Sequence, residues 1–263
     1  MSGNLSLEGL VKIRAETGDD GQVLNLTLNA PPGNVLDREM IGELTRTIED
    51  QASEVRLKLL VLRGEGDQFS FGASVPEHRR EQVGEMLTAF HGLFRTLIAA
   101  SVPCVAVVRG QCLGGGLELA SFCHWVFAAE GARFGQPEIQ LAVFPPAGSL
   151  ILPYRIGQSA SDHLVLGGDS ISATTAKALG LVHAVSADPE AELREFIERQ
   201  ILPRSACALK IAARASRHEM YEAFLTHISA LEELYLQDLM ATRDANEGIE
   251  AFLEKRRPVW QHR

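Results

Sequence analysis

The stretch GQCLGGGLELASFC (residues 110–123) sets three consecutive glycines, Gly114, Gly115 and Gly116, between an apolar run with the look of a strand and one with the look of a helix. Giving up three side chains at a strand-to-helix turn lets the backbone come close to something there, and glycine is otherwise disfavoured inside regular elements. Such a turn also presents the free N–H groups of a helix start and the positive end of its dipole, so it can hold a negative oxygen. Glu118 follows Gly115 by three residues, and on a helix the two share a side, which puts a carboxylate beside any anion held at Gly115. That is a poor design for binding a permanent anion. It suits an anion that forms only while the carboxylate moves a proton, which is the situation of enolate chemistry. A close-packed turn followed by a surface glutamate would give the same letters, and this stretch alone leaves both readings open.

The flanking pattern predicts an α/β fold. Residues 9–29 read as two strands around TGDDG, with Val11, Ile13, Leu24, Leu26 and Leu28 at period two. Asp37 is placed to cap a helix whose Met40, Ile41, Leu44 and Ile48 lie on one face. LKLLVLRG (57–64) reads as a buried strand, about 79–100 as a helix, PCVAVVRG as a second buried strand, and LELASFC as the start of another helix. HWVFAAE and ARFG follow as short strands, then a short helix in SASDHLVLGG and a helix capped by Ser172 that runs into a strand. Strand, loop and helix thus recur up to residue 188. From 189 to 263 the pattern is helical only. There Leu225, Ile228, Leu231, Leu234, Leu236 and Leu239 exceed what one buried face needs, so the segment fits either a subunit contact or a helix enclosed within its own monomer.

With 263 residues and 46% hydrophobic content the chain can bury a sizeable core. Its 25 basic against 34 acidic residues, a net charge of −9, argue against broad binding to nucleic acid or an anionic membrane. Cys104, Cys112, Cys123 and Cys207 form no CxxC pair or metal-ligand spacing and read as reduced thiols, so no metal is expected. The first 21 residues show no basic region followed by an apolar run, and the longest apolar stretch, LIAASVPCVAVV, is short and broken by Pro103. A cytoplasmic protein is expected.

No GxxxxGK[ST], GxGxxG, GxSxG or HExxH occurs, which sets aside phosphate loops, serine hydrolases and zinc peptidases. Glu138, after Pro137 in RFGQPEIQLAVFPPAG, lies among apolar residues able to desolvate it and raise its pKa. FSFGAS (69–74) ends in Gly72-Ala73 and offers a second N–H donor, so that two donors would make an oxyanion hole. His78, just beyond, reads as a solvated loop histidine.

Taken in order and at these separations, CVAVVRGQCLGGGLELASFC, ARFGQPEIQL, FSFGAS, GDSISATTAKALGLVHAV and EGIEAFLEKRRPVW resemble the enoyl-CoA hydratase/isomerase (crotonase) superfamily over nearly the whole chain. The resemblance implies a spiral of ββα units followed by a C-terminal helical trimerisation region, and a homotrimer or a hexamer made of two trimers. It implies an acyl-CoA thioester as substrate, with no further cofactor, its carbonyl oxygen held by the N–H groups of Ala73 and Gly115. Glu118 and Glu138 match the two acid/base glutamates of the hydratases. On that basis Glu118 activates water, Glu138 gives the proton to carbon, and the oxyanion hole holds the thioester enolate. Phe252 and Lys255 match positions that touch CoA from a neighbouring subunit.

Two departures stand out: Gly72-Ala73-Ser74 replaces a Gly-Ala-Asp stretch, and PPAGS puts Pro146, which has no N–H, where the common enzyme has a glycine. APPGNVLD, FSFGASVPEH, GQCLGGGLELA and VFPPAGS look most like the hydratases of cyclohexa-1,5-diene-1-carbonyl-CoA in anaerobic benzoyl-CoA breakdown. Formal 1,4-addition of water would give 6-hydroxycyclohex-1-ene-1-carbonyl-CoA, with Phe71, Leu113 and Phe144 as candidates for an apolar ring pocket. A hydratase of linear or other cyclic 2-enoyl-CoA esters, and a non-catalytic CoA-thioester binding protein, are the competing readings.

Overall fold

In a computed structural model that describes residues 11–263, the strands β1 (Ile13–Gly18) and β2 (Val23–Leu28) form the expected antiparallel hairpin. Residues 9 and 10 of that expectation, and the first half of the segment read for a leader, lie outside the described residues. Helix α1 (Arg38–Ala52) starts where Asp37 accepts a hydrogen bond from the Met40 N–H at 2.9 Å, and Met40, Ile41, Leu44 and Ile48 are buried as their spacing requires. Strand β3 (Leu59–Gly64), helix α2 (Val83–Ala100) and strand β4 (Cys104–Val108) follow, then the short β5 (Gln111–Leu113), helix α3 (Gly115–Phe122), β6 (Trp125–Ala129) and β7 (Arg133–Gly135).

The main sheet continues through α4 (Pro146–Ile156), α5 (Gln158–Gly167), β8 (Ser170–Ser172), α6 (Ala173–Ala178) and β9 (Ala184–Ser186) to give the order β1-β2-β3-β4-β6-β9. Apart from the hairpin its neighbours are parallel. A parallel sheet must be covered on both faces, and that is why β3 and β4 read as unbroken apolar runs instead of alternating. Leu60, Leu62, Ala106 and Val108 face the core built with α1, α2 and α3. Val61, Val105, Val107 and Phe127 face Leu193 and Phe196 of α7 (Pro189–Phe196), the first helix after residue 188. A second, small sheet, β5-β7-β8, stands beside it.

Helices α8 (Ala206–Ser216), α9 (His218–Glu233) and α10 (Arg243–Leu253) complete the chain, with a π-helical segment at Leu234–Leu239. Of the apolar positions singled out there, Ile228 is buried, while Leu225, Leu234 and Leu236 remain more than a third exposed. No helix among the described residues is long and apolar enough to cross a membrane.

Candidate active site

The glycine run leads from β5 of the small sheet into α3. The Gly114 N–H donates to the Gly135 carbonyl at 2.9 Å, Gly114 itself has φ +51°, and α3 begins with Gly115 already helical, so the turn is tighter than the sequence suggested. Beside it runs the segment 69–73, which hydrogen-bonds along β5: Ser70 N–H to the Gln111 carbonyl at 3.1 Å, Leu113 N–H to the Ser70 carbonyl at 3.0 Å. The buried Ser70 hydroxyl donates to the Asn34 carbonyl at 2.8 Å and accepts from the Gly72 N–H at 3.0 Å, fixing the bend into Ala73. Leu36 takes up the Gly72 carbonyl and the Ser74 N–H, which leaves the Ala73 N–H turned the other way, toward α3.

That approach is close. A Cβ added to Gly115 would lie 3.2 Å from Ala73 N, one added to Gly72 (φ +98°) would lie 3.2 Å from Gly115 N, and one on Gly116 would lie 2.8 Å from Ser70 Cβ. The N–H groups of Ala73 and Gly115 therefore sit side by side, and neither has a backbone partner among the described residues. Two such donors can hold one oxygen on which charge develops.

Glu118, one turn into α3, is buried, and burial pushes its pKa up to about 7 against the opposing pull of the Gly148 and Ala147 N–H groups. Gly148 donates to Glu118 Oε1 at 2.5 Å from the first turn of α4. Glu138 comes from a 3-10 turn, Pro137–Leu141. Its Oε1 lies against Gly114, and its Oε2 is buried with no hydrogen-bond partner among the described residues. Burial, and then the negative charge of Glu118, raise the Glu138 pKa well above the usual carboxylate range. Two carboxyls that resist ionisation side by side can share one proton near neutral pH, one poised to accept and the other to give.

Glu138 borders an apolar cavity of about 320 Å³ whose wall also carries Phe71, Ala73, His78, Leu113 and Phe252. Phe144 and Pro146 are placed elsewhere: Phe144 packs on the Tyr235 ring at a centroid distance of 5.3 Å, and Pro146 is buried at the start of α4. Phe252 lines the cavity of its own chain, whereas the resemblance gave it to a neighbour's site. Gly248 lets α10 lie directly on the Leu141 carbonyl, and Arg79 clamps Glu250 at 2.7 and 3.1 Å, so the helix is seated within one chain. Lys255, beyond α10, is exposed.

His78 is not the solvated loop residue the sequence suggested. It lies half-buried in the cavity wall, its Nδ1–H donating to the Ser74 carbonyl at 2.8 Å, and burial lowers its pKa. Sequence reasoning also missed Ser70 and Asn34, the Gly148 N–H, and the buried Gln136 and Tyr235, whose polar atoms have no partner among the described residues. Of these, Gln136 was within reach, two residues before Glu138 in the same short segment; Tyr235 becomes visible only when the C-terminal segment folds back.

Comparison with known proteins points the same way. The sequence pattern of the family described as Enoyl-CoA hydratase/isomerase matches residues 18–263. The chain is similar to a cyclohexa-1,5-dienecarbonyl-CoA hydratase of Thauera aromatica, 41% identical over 93% of this chain and 95% of that one. It is also similar to a 2,3-dehydroadipyl-CoA hydratase of Escherichia coli (strain K12), 35% identical over 92% and 96% of the two. Among solved structures, an enoyl-CoA hydratase from Mycobacterium avium subsp. paratuberculosis K-10 superposes with a TM-score of 0.82 at 27% identity, covering 96% of this chain and 100% of that one.

Proposed function

Because the chain belongs to the enoyl-CoA hydratase/isomerase family and is an enzyme of the hydro-lyase type, we propose that it adds water to cyclohexa-1,5-diene-1-carbonyl-CoA, giving 6-hydroxycyclohex-1-ene-1-carbonyl-CoA. The observation that carries this reading is the pairing of two buried carboxyls, Glu118 and Glu138, with two N–H donors, Ala73 and Gly115, that have no backbone partner among the described residues, Glu138 and Ala73 also lining an apolar cavity. In it the thioester carbonyl accepts from Ala73 and Gly115. Glu118 takes a proton from water as its oxygen bonds to the ring carbon β to the carbonyl. Negative charge moves onto the thioester oxygen, where the two donors are aimed, and Glu138 gives a proton to the far carbon of the conjugated system as the remaining double bond shifts. One water is consumed and no redox change occurs.

The cavity's size and its Phe71 and Leu113 walls support a flat apolar acyl group, and the 41% identity to the Thauera aromatica enzyme supports the ring. In this reading Phe252, in the cavity wall, and the exposed Lys255, beyond α10, meet the CoA portion. The exposed Leu225, Leu234 and Leu236 support assembly into a homotrimer, alone or paired as a hexamer. That reaction would serve anaerobic benzoyl-CoA breakdown in the cytoplasm.

The deciding experiment incubates the purified protein with cyclohexa-1,5-diene-1-carbonyl-CoA and, separately, crotonyl-CoA, following loss of conjugation and product mass. Faster hydration of the diene supports the reading. Faster hydration of crotonyl-CoA makes the protein a hydratase of linear enoyl esters, and inertness toward both would leave a CoA-thioester binding protein.

A further inference from the structure

The first turn of α4 has no donor to spare. Pro146 lacks an N–H, those of Ala147 and Gly148 are directed at Glu118, and that of Ser149 donates to the Pro145 carbonyl at 2.9 Å. Nothing from this turn is left for a water beside Glu138. Yet Glu138 Oε2 is buried and unpartnered among the described residues, and so are both amide atoms of Gln136, which packs against Gly148, and the hydroxyl of Tyr235. Buried polar atoms are nearly always hydrogen-bonded, so these orphans call for a polar partner that the described residues do not supply.

Tyr235 belongs to the Leu234–Leu239 segment and is fully buried, its ring on Phe144, which leads directly into Pro145 and Pro146. Burial raises its pKa, and the charges of Glu138 and then Glu118 raise it further, so the hydroxyl remains a donor. A phenol suits such a place: it donates one hydrogen bond from a rigid ring and stays neutral where a lysine would pair with the carboxylates.

We propose that Tyr235 is the third polar group of the reacting centre, its hydroxyl donating a hydrogen bond to the water that Glu118 and Glu138 act on and to the hydroxyl of the hydrated product. It supplies from the C-terminal region the donor that Pro146 removes from α4. The inference rests on the hydration reading above and adds to it a residue that sets where the water stands.

Tyr235→Phe tests it, because it deletes one oxygen and leaves the packed ring. Turnover of cyclohexa-1,5-diene-1-carbonyl-CoA and of crotonyl-CoA should fall about 10- to 100-fold, with KM within about twofold and the melting temperature unchanged or raised. A second arm uses calorimetry in the Glu118→Gln background: the added Tyr235→Phe change should weaken 3-hydroxybutyryl-CoA about five- to tenfold and leave butyryl-CoA unaltered. Wild-type turnover together with unchanged preference for the hydroxy ester would overturn the proposal, and so would equal weakening of both esters with a lowered melting temperature, which marks a packing role. If the unmutated protein hydrates neither ester, the hydration reading fails on that result, and the binding arm still decides whether Tyr235 meets the ligand oxygen.

Discussion

Helix α3 and the outer face of the C-terminal helices are mismatched to their surroundings in opposite ways. Every residue of α3 is buried, Glu118 included, and around it carboxyl, amide and phenol groups are held away from water. On the outer face Leu225, Leu234 and Leu236, with Ile211 of α8, are left in water. Each mismatch costs stability, and in the proposed function each is relieved from outside the fold of one chain: by a polar ligand in the first case, by a second copy in the second. The two regions also meet, since the exposed Leu234 and Leu236 flank Tyr235, which is buried with its ring on Phe144.

The sharpest way to break the first region is Glu118→Gln. It keeps the shape but can neither take nor carry the proton, and turnover should fall by about 10³ or more with CoA-ester affinity largely kept. A stopped assay with product mass checks it; unchanged turnover removes Glu118 from the chemistry.

The same variant should reveal what burying the carboxyl costs. Glu118 ionises at about 7 in the folded chain against an ordinary 4.5, so between those values the folded chain binds more protons than the unfolded one, and stability falls as pH rises through the window. Glutamine escapes that loss. Its advantage over wild type should be small at pH 5 and reach about 3 kcal/mol at most by pH 8, as read from denaturant midpoints. An equal difference at both pH values would mean that Glu118 is not held against ionisation.

Close approach is the next thing to test. Gly116→Ala puts a methyl 2.8 Å from Ser70 Cβ in a region with no slack, at a cost of about 1–3 kcal/mol, and it should push the Ser70–Ala73 loop away from Gly115. Gly92→Ala, in the middle of α2 with nothing within 4 Å of the added carbon, should instead stabilise by about 0.5–1 kcal/mol. Melting temperatures of the two variants should move in opposite directions.

Much of the buried region was legible in the sequence because local rules and the fold agree there. Asp37 and Ser172 both act as the caps their positions suggested, and the continuous apolar runs at β3 and β4 did mark a sheet covered on both sides. The glycine run pointed to a close backbone approach at that turn, but not to the Ser70–Ala73 segment as what comes close. Helix α4 was not foreseen: it begins with two prolines and contains Pro153, a composition that argues for a loop, and it forms because its first turn is anchored on Glu118. His78 and Tyr235 escaped for a different reason. Their roles depend on which side of a short turn or of the Leu234–Leu239 segment faces the cavity or the glutamates, and that is set by long-range packing that no periodicity records.

The outer face gives the mildest test for the chain itself. Replacing Leu234 and Leu236 together by Glu changes surface positions, so the folded chain should lose little stability, about 0.5 kcal/mol per site, and keep its circular dichroism. The proposed homotrimer should be lost, with sedimentation showing the single chain. Since Phe252, Glu138 and both N–H donors belong to one chain, turnover should then drop only severalfold, through looser seating of Tyr235 between the two substitutions. Complete loss of turnover in a folded single chain would instead show that a neighbouring copy supplies part of the site, and that the buried region is less self-sufficient than the seating of α10 on its own chain implies.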